Sequence, residues 1–212
     1  MKNNVTELVF IIDCSGSMAG FEEDTLGGFN SLIERQKRES GTCLVTTVFF
    51  SDHSTRIHDR VPLPGVSPLT QREYRVGGCT ALYDAVGSTI HHIANIHKYA
   101  RHEDVPDKTV FVITTDGMEN SSRHYSGARV RPMVEHEKQK YGWEFIFLGA
   151  DMDAVGAAAD IGISPERSAR FNKTARSNAS MYDCVCGAVS AVRADAPISD
   201  DWSSGIIDDD DD

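Results

Sequence analysis

Apolar and polar positions along this chain follow two periods in alternation. Continuous β-branched or aromatic runs recur at Leu8–Ile12, Cys43–Phe50, Thr109–Thr115 and Trp143–Gly149, each ending in Gly, Ser or Asp. Apolar runs of that length, without polar interruption, predict strands buried on both faces. Between them the spacing becomes helical. Phe21, Leu26, Phe29, Leu32 and Ile33 mark one face of a helix over 21–39, weakened by Gly27-Gly28. Leu82, Val86, Ile90, Ile93 and Ile96 mark a longer helix that opens at Gly77-Gly78-Cys79-Thr80 and runs to about Ala100. Val130, Met133 and Val134 predict a charged helix over 128–140, and Met181, Val185, Ala188 and Val192 an amphipathic one over 179–193. Ala154 to Ile161 reads as a short Ala-rich helix. Thr55–Leu63, after the polar turn 51–54, and Ser168–Phe171 read as edge strands, and the Pro- and Gly-rich stretch 62–78 as an extended connection.

Strands that alternate with helices, with one hairpin, predict an α/β chain. The expected architecture is three-layer, doubly wound and Rossmann-like: a six-stranded, mostly parallel sheet with one antiparallel edge strand. Right-handed crossovers then bring all parallel carboxyl ends to one sheet edge, where open α/β sheets place ligands.

Composition changes this picture only at the end of the chain. Of 32 acidic and 21 basic residues, eight acids and no bases lie from Ala194 on. The preceding 193 residues are therefore nearly balanced, at −3, and the acidity belongs to the tail. Neither value supports nucleic-acid binding. The expected organisation is one domain over 1–193 and an acidic, disordered tail over 194–212, closing in Asp208–Asp212. No apolar run reaches the ~18 residues of a membrane span, and the first residues lack the apolar core of a signal peptide. Five cysteines, Cys14, Cys43, Cys79, Cys184 and Cys186, form an odd set within predicted core elements, which fits reduced thiols and a cytoplasmic setting. His91, His92, His97 and His102 do not pair at i, i+4 and are expected on a solvated face.

The first strand runs straight into Asp13-Cys14-Ser15-Gly16-Ser17. One carboxylate and two hydroxyls at alternate positions offer hard oxygens, which suit Mg²⁺ or Mn²⁺. Taken alone, the stretch supports equally a turn in which Ser17 caps the next helix. Thr80 and Asp116, which follow other elements to the same edge, move the balance toward a metal loop.

These three pieces, Asp13-x-Ser15-x-Ser17, Thr80 in Gly-Gly-Cys-Thr-Ala-Leu, and Thr115-Asp116-Gly117, resemble the metal-ion-dependent adhesion site of von Willebrand factor A (VWA) domains. The stretches Thr114–Ser122 and Tyr141–Ala150 are similar to those of small bacterial VWA-domain proteins of undefined role. The resemblance spans roughly Val5 to Arg193. It implies Mg²⁺, or Mn²⁺, ligated by Ser15, Ser17 and Thr80, with Asp13 and Asp116 acting directly or through water. It also implies a protein partner that presents an Asp or Glu to the metal. Glu119 and Asp52 are weaker expectations: Glu119 to orient a metal-bound water or to be a solvated loop acid, Asp52 to form its turn or face the site. Asp84 is expected to serve its helix. No phosphate-binding loop, nucleophile elbow or nucleophile–base pair is present, so a metal-dependent hydrolase or phosphotransferase is the lesser expectation, beside a scaffold with an incidental site. Cys14 is expected to point away from Asp13. The Asp208–Asp212 run is itself a possible ligand for the site.

Overall fold

The computed structural model describes residues 4–150 and 153–208. Strand β1 (Val5–Asp13) is the centre of the molecule, and Leu8 to Ile12 are no more than 1% exposed. Burial of such side chains stabilises by about 1.5–3 kcal/mol each. β1 pairs in parallel with β2 (Thr42–Phe50) on one side and β4 (Lys108–Thr115) on the other. β3 (Ser54–Pro62) adds antiparallel to β2, and β5 (Glu144–Ala150) and β6 (Ser168–Phe171) continue in parallel beyond β4. The sheet order is β3-β2-β1-β4-β5-β6. This is the expected doubly wound, mostly parallel sheet with one antiparallel edge strand. The winding reverses between β1 and β4, so the carboxyl ends of those two strands form the crevice that such sheets use for ligands.

Alternate β1 residues supply two cores. Leu8, Phe10 and Ile12 pack with α1 (Glu22–Gln36) and α5 (Ala175–Arg193). Val9 and Ile11 pack with α2 (Leu82–Tyr99), α3 (Gly127–Tyr141) and α4 (Ala154–Asp160). Gly28 is a packing residue more than a weakness of α1: a Cβ there would stand 2.1 Å from the ring of Tyr182 in α5. α5 begins four residues earlier than its apolar pattern suggested, because the Thr174 side chain accepts from Ser177 N and caps the helix. α2 starts at Leu82, after the glycine pair.

The connection from 63 to 81 is irregular but packed. Leu63, Val66, Leu69 and Tyr74 enter the α1/α5 core, and Leu82 enters the other. The connection thus climbs one face and crosses the sheet's carboxyl edge at Thr80.

Two expectations are corrected. The stretch from Ala194 was expected to be disordered, yet 194–208 packs on the α1/α5 core. Ile198 and Trp202 are 3% and 9% exposed, and Trp202 Nε1 donates to Glu166 O at 2.9 Å. Two apolar side chains within an acidic segment anchor it. Residues 209–212 of the acidic run lie outside the described residues.

The histidines are not all on a solvated face. His97 Nε2 lies 2.6 Å from Glu7 Oε2, and Glu7 has no exposed surface. Arg60 Nε donates to the other oxygen at 2.9 Å. Arg60 sits at φ 52, where the β2–β3 register slips, and this bulge turns its side chain onto Glu7. His92 Nε2 lies 2.9 Å from Asp59 Oδ1. Among the described residues no helix is long and apolar enough to cross a membrane.

Candidate functional site

β1 ends at Asp13, and the chain turns sharply through a short helical turn, Gly16–Met18. Neither this turn nor α1 is capped by a side chain. The Ser17 hydroxyl is therefore free for another role, and it donates to Asp116 Oδ1 at 2.6 Å. That contact excludes the helix-cap reading of Ser17. Ser15 Oγ is 3.1 Å from Ser17 Oγ.

Backbone hydrogen bonds tie the three loops together. Gly16 N donates to Gly78 O and Gly77 N to Cys14 O, both at 2.9 Å. Asn120 N donates to Thr80 O at 3.1 Å, and Thr80 N donates to Asn120 Oδ1 at 2.9 Å. Thr80, 3% exposed, thus stands between the β1 loop and the β4 loop. Its position relative to the other hydroxyls follows from Gly117. A Cβ there would lie 3.0 Å from Thr80 Oγ1 and 3.6 Å from Ser17 Oγ, so the missing side chain leaves a space faced by both oxygens.

Asp13 has no exposed surface. Its Oδ1 accepts from Ser15 N and its Oδ2 from Thr115 Oγ1, both at 2.6 Å. Burial pushes the Asp13 carboxyl above the ordinary aspartate range; these hydrogen bonds pull it back and the nearby Asp116 charge adds to the rise. Tyr74 OH donates to Asp13 O at 2.5 Å and fixes the strand end from below. The Asp116 side chain is also fully covered, and Lys173 Nζ lies 3.1 Å from its Oδ2.

The structure therefore brings Asp13, Ser15, Ser17, Thr80 and Asp116 together from three loops at the β1/β4 crevice. The other two expected residues serve as supports. Asp52 Oδ1 accepts from Cys79 N at 2.9 Å, and Gly78, at φ +82, gives it room, since a Cβ would meet Asp52 Oδ2 at 2.3 Å. Glu119 accepts from Ser121 N, Ser122 N, Ser122 Oγ and Tyr83 N within 2.7–2.9 Å. It satisfies the first turn of α2, and its oxygens are engaged by these donors. Asp84 Oδ1 and Oδ2 accept from the backbone N–H groups of Arg123, His124 and Tyr125.

Thr115, Lys173, Tyr74 and Asn120 were missed as site residues. Thr115 adjoins Asp116 in the motif, and Lys173 follows β6 to the carboxyl edge; topology alone could have flagged both.

The donor set fits a hard divalent cation on three grounds. All five side chains offer oxygen, Gly117 leaves space beside two of the hydroxyls, and a cation, the Lys173 ammonium, already rests on Asp116. Among the described residues no three His, Cys, Asp or Glu side chains gather as a metal-binding group, so neutral hydroxyls would have to supply most ligands. Cys14 is 8% exposed within the α1/α5 core, as expected, and burial pushes its thiol up to about 11, far from a reactive thiolate.

This fold recurs in solved structures across most of the chain. A structure of von Willebrand factor type A from Catenulispora acidiphila matches with a TM-score of 0.60 at 12% identity, covering 85% of this chain and 42% of that one. The chain has the von Willebrand factor A fold. Proximal thread matrix protein 1 from the mussel byssus superposes on this VWA fold with a TM-score of 0.59 at 16% identity, over 87% of this chain and 46% of that one. A further structure of that protein, with a zinc-occupied metal-ion-dependent adhesion site, matches with a TM-score of 0.55 at 15% identity, over 89% and 44%. The chain spans less than half the length of these structures. No family model and no curated protein matches the sequence.

A cavity of about 830 Å³ lies at the opposite, amino-terminal edge, lined by His97, His136, Glu137 and Trp143 among others, and contains none of the five residues.

Proposed function

We propose that this chain is a divalent-metal-dependent protein-interaction module, which binds an Asp or Glu of a partner protein through Mg²⁺, or Mn²⁺, at the β1/β4 crevice. Asp13, Ser15, Ser17, Thr80 and Asp116 would hold the ion. When bound, it would supply an electrophilic centre, because three of the five side chains that would hold it are neutral hydroxyls. The observation that carries this reading is the convergence of five oxygen-bearing side chains from three loops. Thr115 and Ser15 N hold the Asp13 carboxylate in place, and Asp52 and Asn120 hold the Thr80 loop. Met118, 77% exposed one residue beyond Gly117, offers an apolar contact at the rim. The five free thiols favour a reducing, cytoplasmic setting. No nucleophile–base pair at the site favours catalysis.

The chain's own acidic run is a second source of the carboxylate. Asn172 Nδ2 donates to Asp208 Oδ1 at 2.7 Å, and Asn172 adjoins Lys173. A short tether would give such a ligand a high effective concentration. Truncation after Ile207 should then strengthen capture of a free acidic peptide, and unchanged affinity would remove the tail from consideration.

The decisive experiment is calorimetric titration of the chain with Mg²⁺, Mn²⁺ and Zn²⁺, paired with thermal melts. Metal should raise the melting temperature of wild type, and Asp116→Ala and Thr80→Ala should abolish the shift. Absence of both heat and shift in wild type overturns the reading. Capture of partners in Mg²⁺ and their release in EDTA then tests the interaction itself.

A further inference from the structure

We infer that Lys173 is a tethered cation competing for the metal site, so that a divalent ion binds only by displacing its ammonium from Asp116. The inference rests on the metal-site reading above and concerns what sets the affinity of that site.

The Lys173 ammonium lies 3.1 Å from Asp116 Oδ2 and 3.4 Å from Ser17 O. Both acceptors belong to residues of the five-residue set. Asp116 Oδ1 is taken by the Ser17 hydroxyl, so the ammonium uses the oxygen that this hydrogen bond leaves over. Among the described residues it is the one cation within ion-pair distance of either buried carboxylate. The Asp116 side chain is wholly covered while Lys173 is a third exposed, so the charge is delivered from outside onto a buried acid. A buried carboxylate without a cation or a full set of donors is unfavourable. Lys173 therefore does for Asp116 what a metal would do.

The residue type fits this role. An ammonium is a compact point charge on a flexible stem, whereas a guanidinium would demand planar bidentate contact. The surrounding backbone is fixed. Asn172 N donates to Ser177 Oγ at 2.9 Å, Thr174 N to Asn172 O at 2.8 Å, and the Thr174 hydroxyl caps α5. Displacement is thus a side-chain rotation about a pinned loop, and the competitor never leaves the neighbourhood. Two positive charges held at contact distance on one carboxylate repel each other, more so where water is excluded. The site accordingly stays closed to weakly binding cations and opens to ions whose charge and ligand number outbid one ammonium.

The test is calorimetric titration of the full chain with Mn²⁺ and Mg²⁺ for wild type, Lys173→Gln, Lys173→Ala and Asp116→Ala, with melts of each in EDTA. Both Lys173 variants should bind about tenfold or more tightly than wild type, the equivalent of one charge-assisted hydrogen bond. They should also melt lower than wild type in EDTA, because Asp116 loses its counter-ion, and show a larger metal-induced rise. Lys173→Gln keeps part of the stem and a polar, uncharged end, and guards against a packing effect. Equal or weaker metal affinity in both variants, with wild type binding, overturns the proposal and leaves the metal reading intact. No binding by wild type or by either variant overturns both.

Discussion

Thr115 holds the site's innermost carboxylate, and its removal can be worked through. It is 1% exposed, and its Oγ1 lies 2.6 Å from Asp13 Oδ2, 3.1 Å from Gly117 O and 3.3 Å from Gly117 N. A hydroxyl has one proton, and the short contact to the carboxylate claims it. Thr115→Val keeps the shape and the β-branch and removes that donor. A hydrogen bond to a charged group contributes about 1.5–3 kcal/mol. For a chain of this size that corresponds to a fall of roughly 3–12 °C in melting temperature. The pH dependence has a definite sign. Asp13 sits above its ordinary value of 3.8, first through burial, so the folded chain holds that proton more tightly than the unfolded one. Its contribution to stability is complete below the unfolded value and is lost as pH rises through the folded value. Without the Thr115 donor the folded value rises further, so the deficit of the variant is largest near neutrality and shrinks toward about pH 4. Melts in EDTA from pH 7 downward, with Thr115→Ser as the control that restores a hydroxyl, measure this. Equal stability of Thr115→Val and wild type at pH 7, or a deficit that grows on acidification, would refute the reasoning.

Three further outcomes follow from the same contacts. Gly117→Ala places a methyl 3.0 Å from Thr80 Oγ1 and should weaken Mn²⁺ binding about 10–100-fold in calorimetry, with little change in the metal-free melt. Arg60→Ala leaves the wholly buried Glu7 with His97 as its one side-chain partner among the described residues and should cost about 3 kcal/mol in urea unfolding. Asp84→Ala strips an acceptor from three backbone N–H groups and should cost about 1–3 kcal/mol, with faster amide exchange at 123–125. Burial alone would push the Asp84 carboxyl up, but those donors carry it below its ordinary value. Its contribution is therefore present above about pH 4 and lost as pH falls through the folded value, a loss the variant should lack.

The architecture was legible because its signals are periodic. Four apolar runs and the helical stripes between them reproduce the central strands and the buried faces, including Leu82, Val86, Ile90 and Ile93 on α2. Errors arose where one residue outweighed a pattern. Thr174 starts α5 early because a cap requires no apolar period. Ile198 and Trp202 pin a segment whose average composition is acidic. Glu7, inside the first strand, shows no sign in sequence of the Arg60 and His97 that balance it, since their approach depends on a bulge in β3 and on the far end of α2. Gly28 lowers helix propensity locally, yet its purpose lies 154 residues away, in the ring of Tyr182.

The five expected site residues meet because each stands at a strand end or loop that topology sends to one edge. Charge balance at that edge was beyond a motif. Asp13 receives donors but no cation, and Asp116 receives one cation, so two buried negative charges face a single positive one. Low-dielectric surroundings penalise that imbalance, and burial already pushes Asp13 toward its neutral form. A divalent ion in place of the ammonium would neutralise both acids. The displaced ammonium, still tethered at the rim, would then leave these two acids and their two cations with one net unit of positive charge, the complement of a single carboxylate. Under this count a partner's Asp or Glu completes the balance, whereas a phosphate dianion overshoots it. Competition at the metal-loaded site should therefore rank acidic peptides above phosphate, and Lys173→Gln should narrow that preference while it tightens the metal.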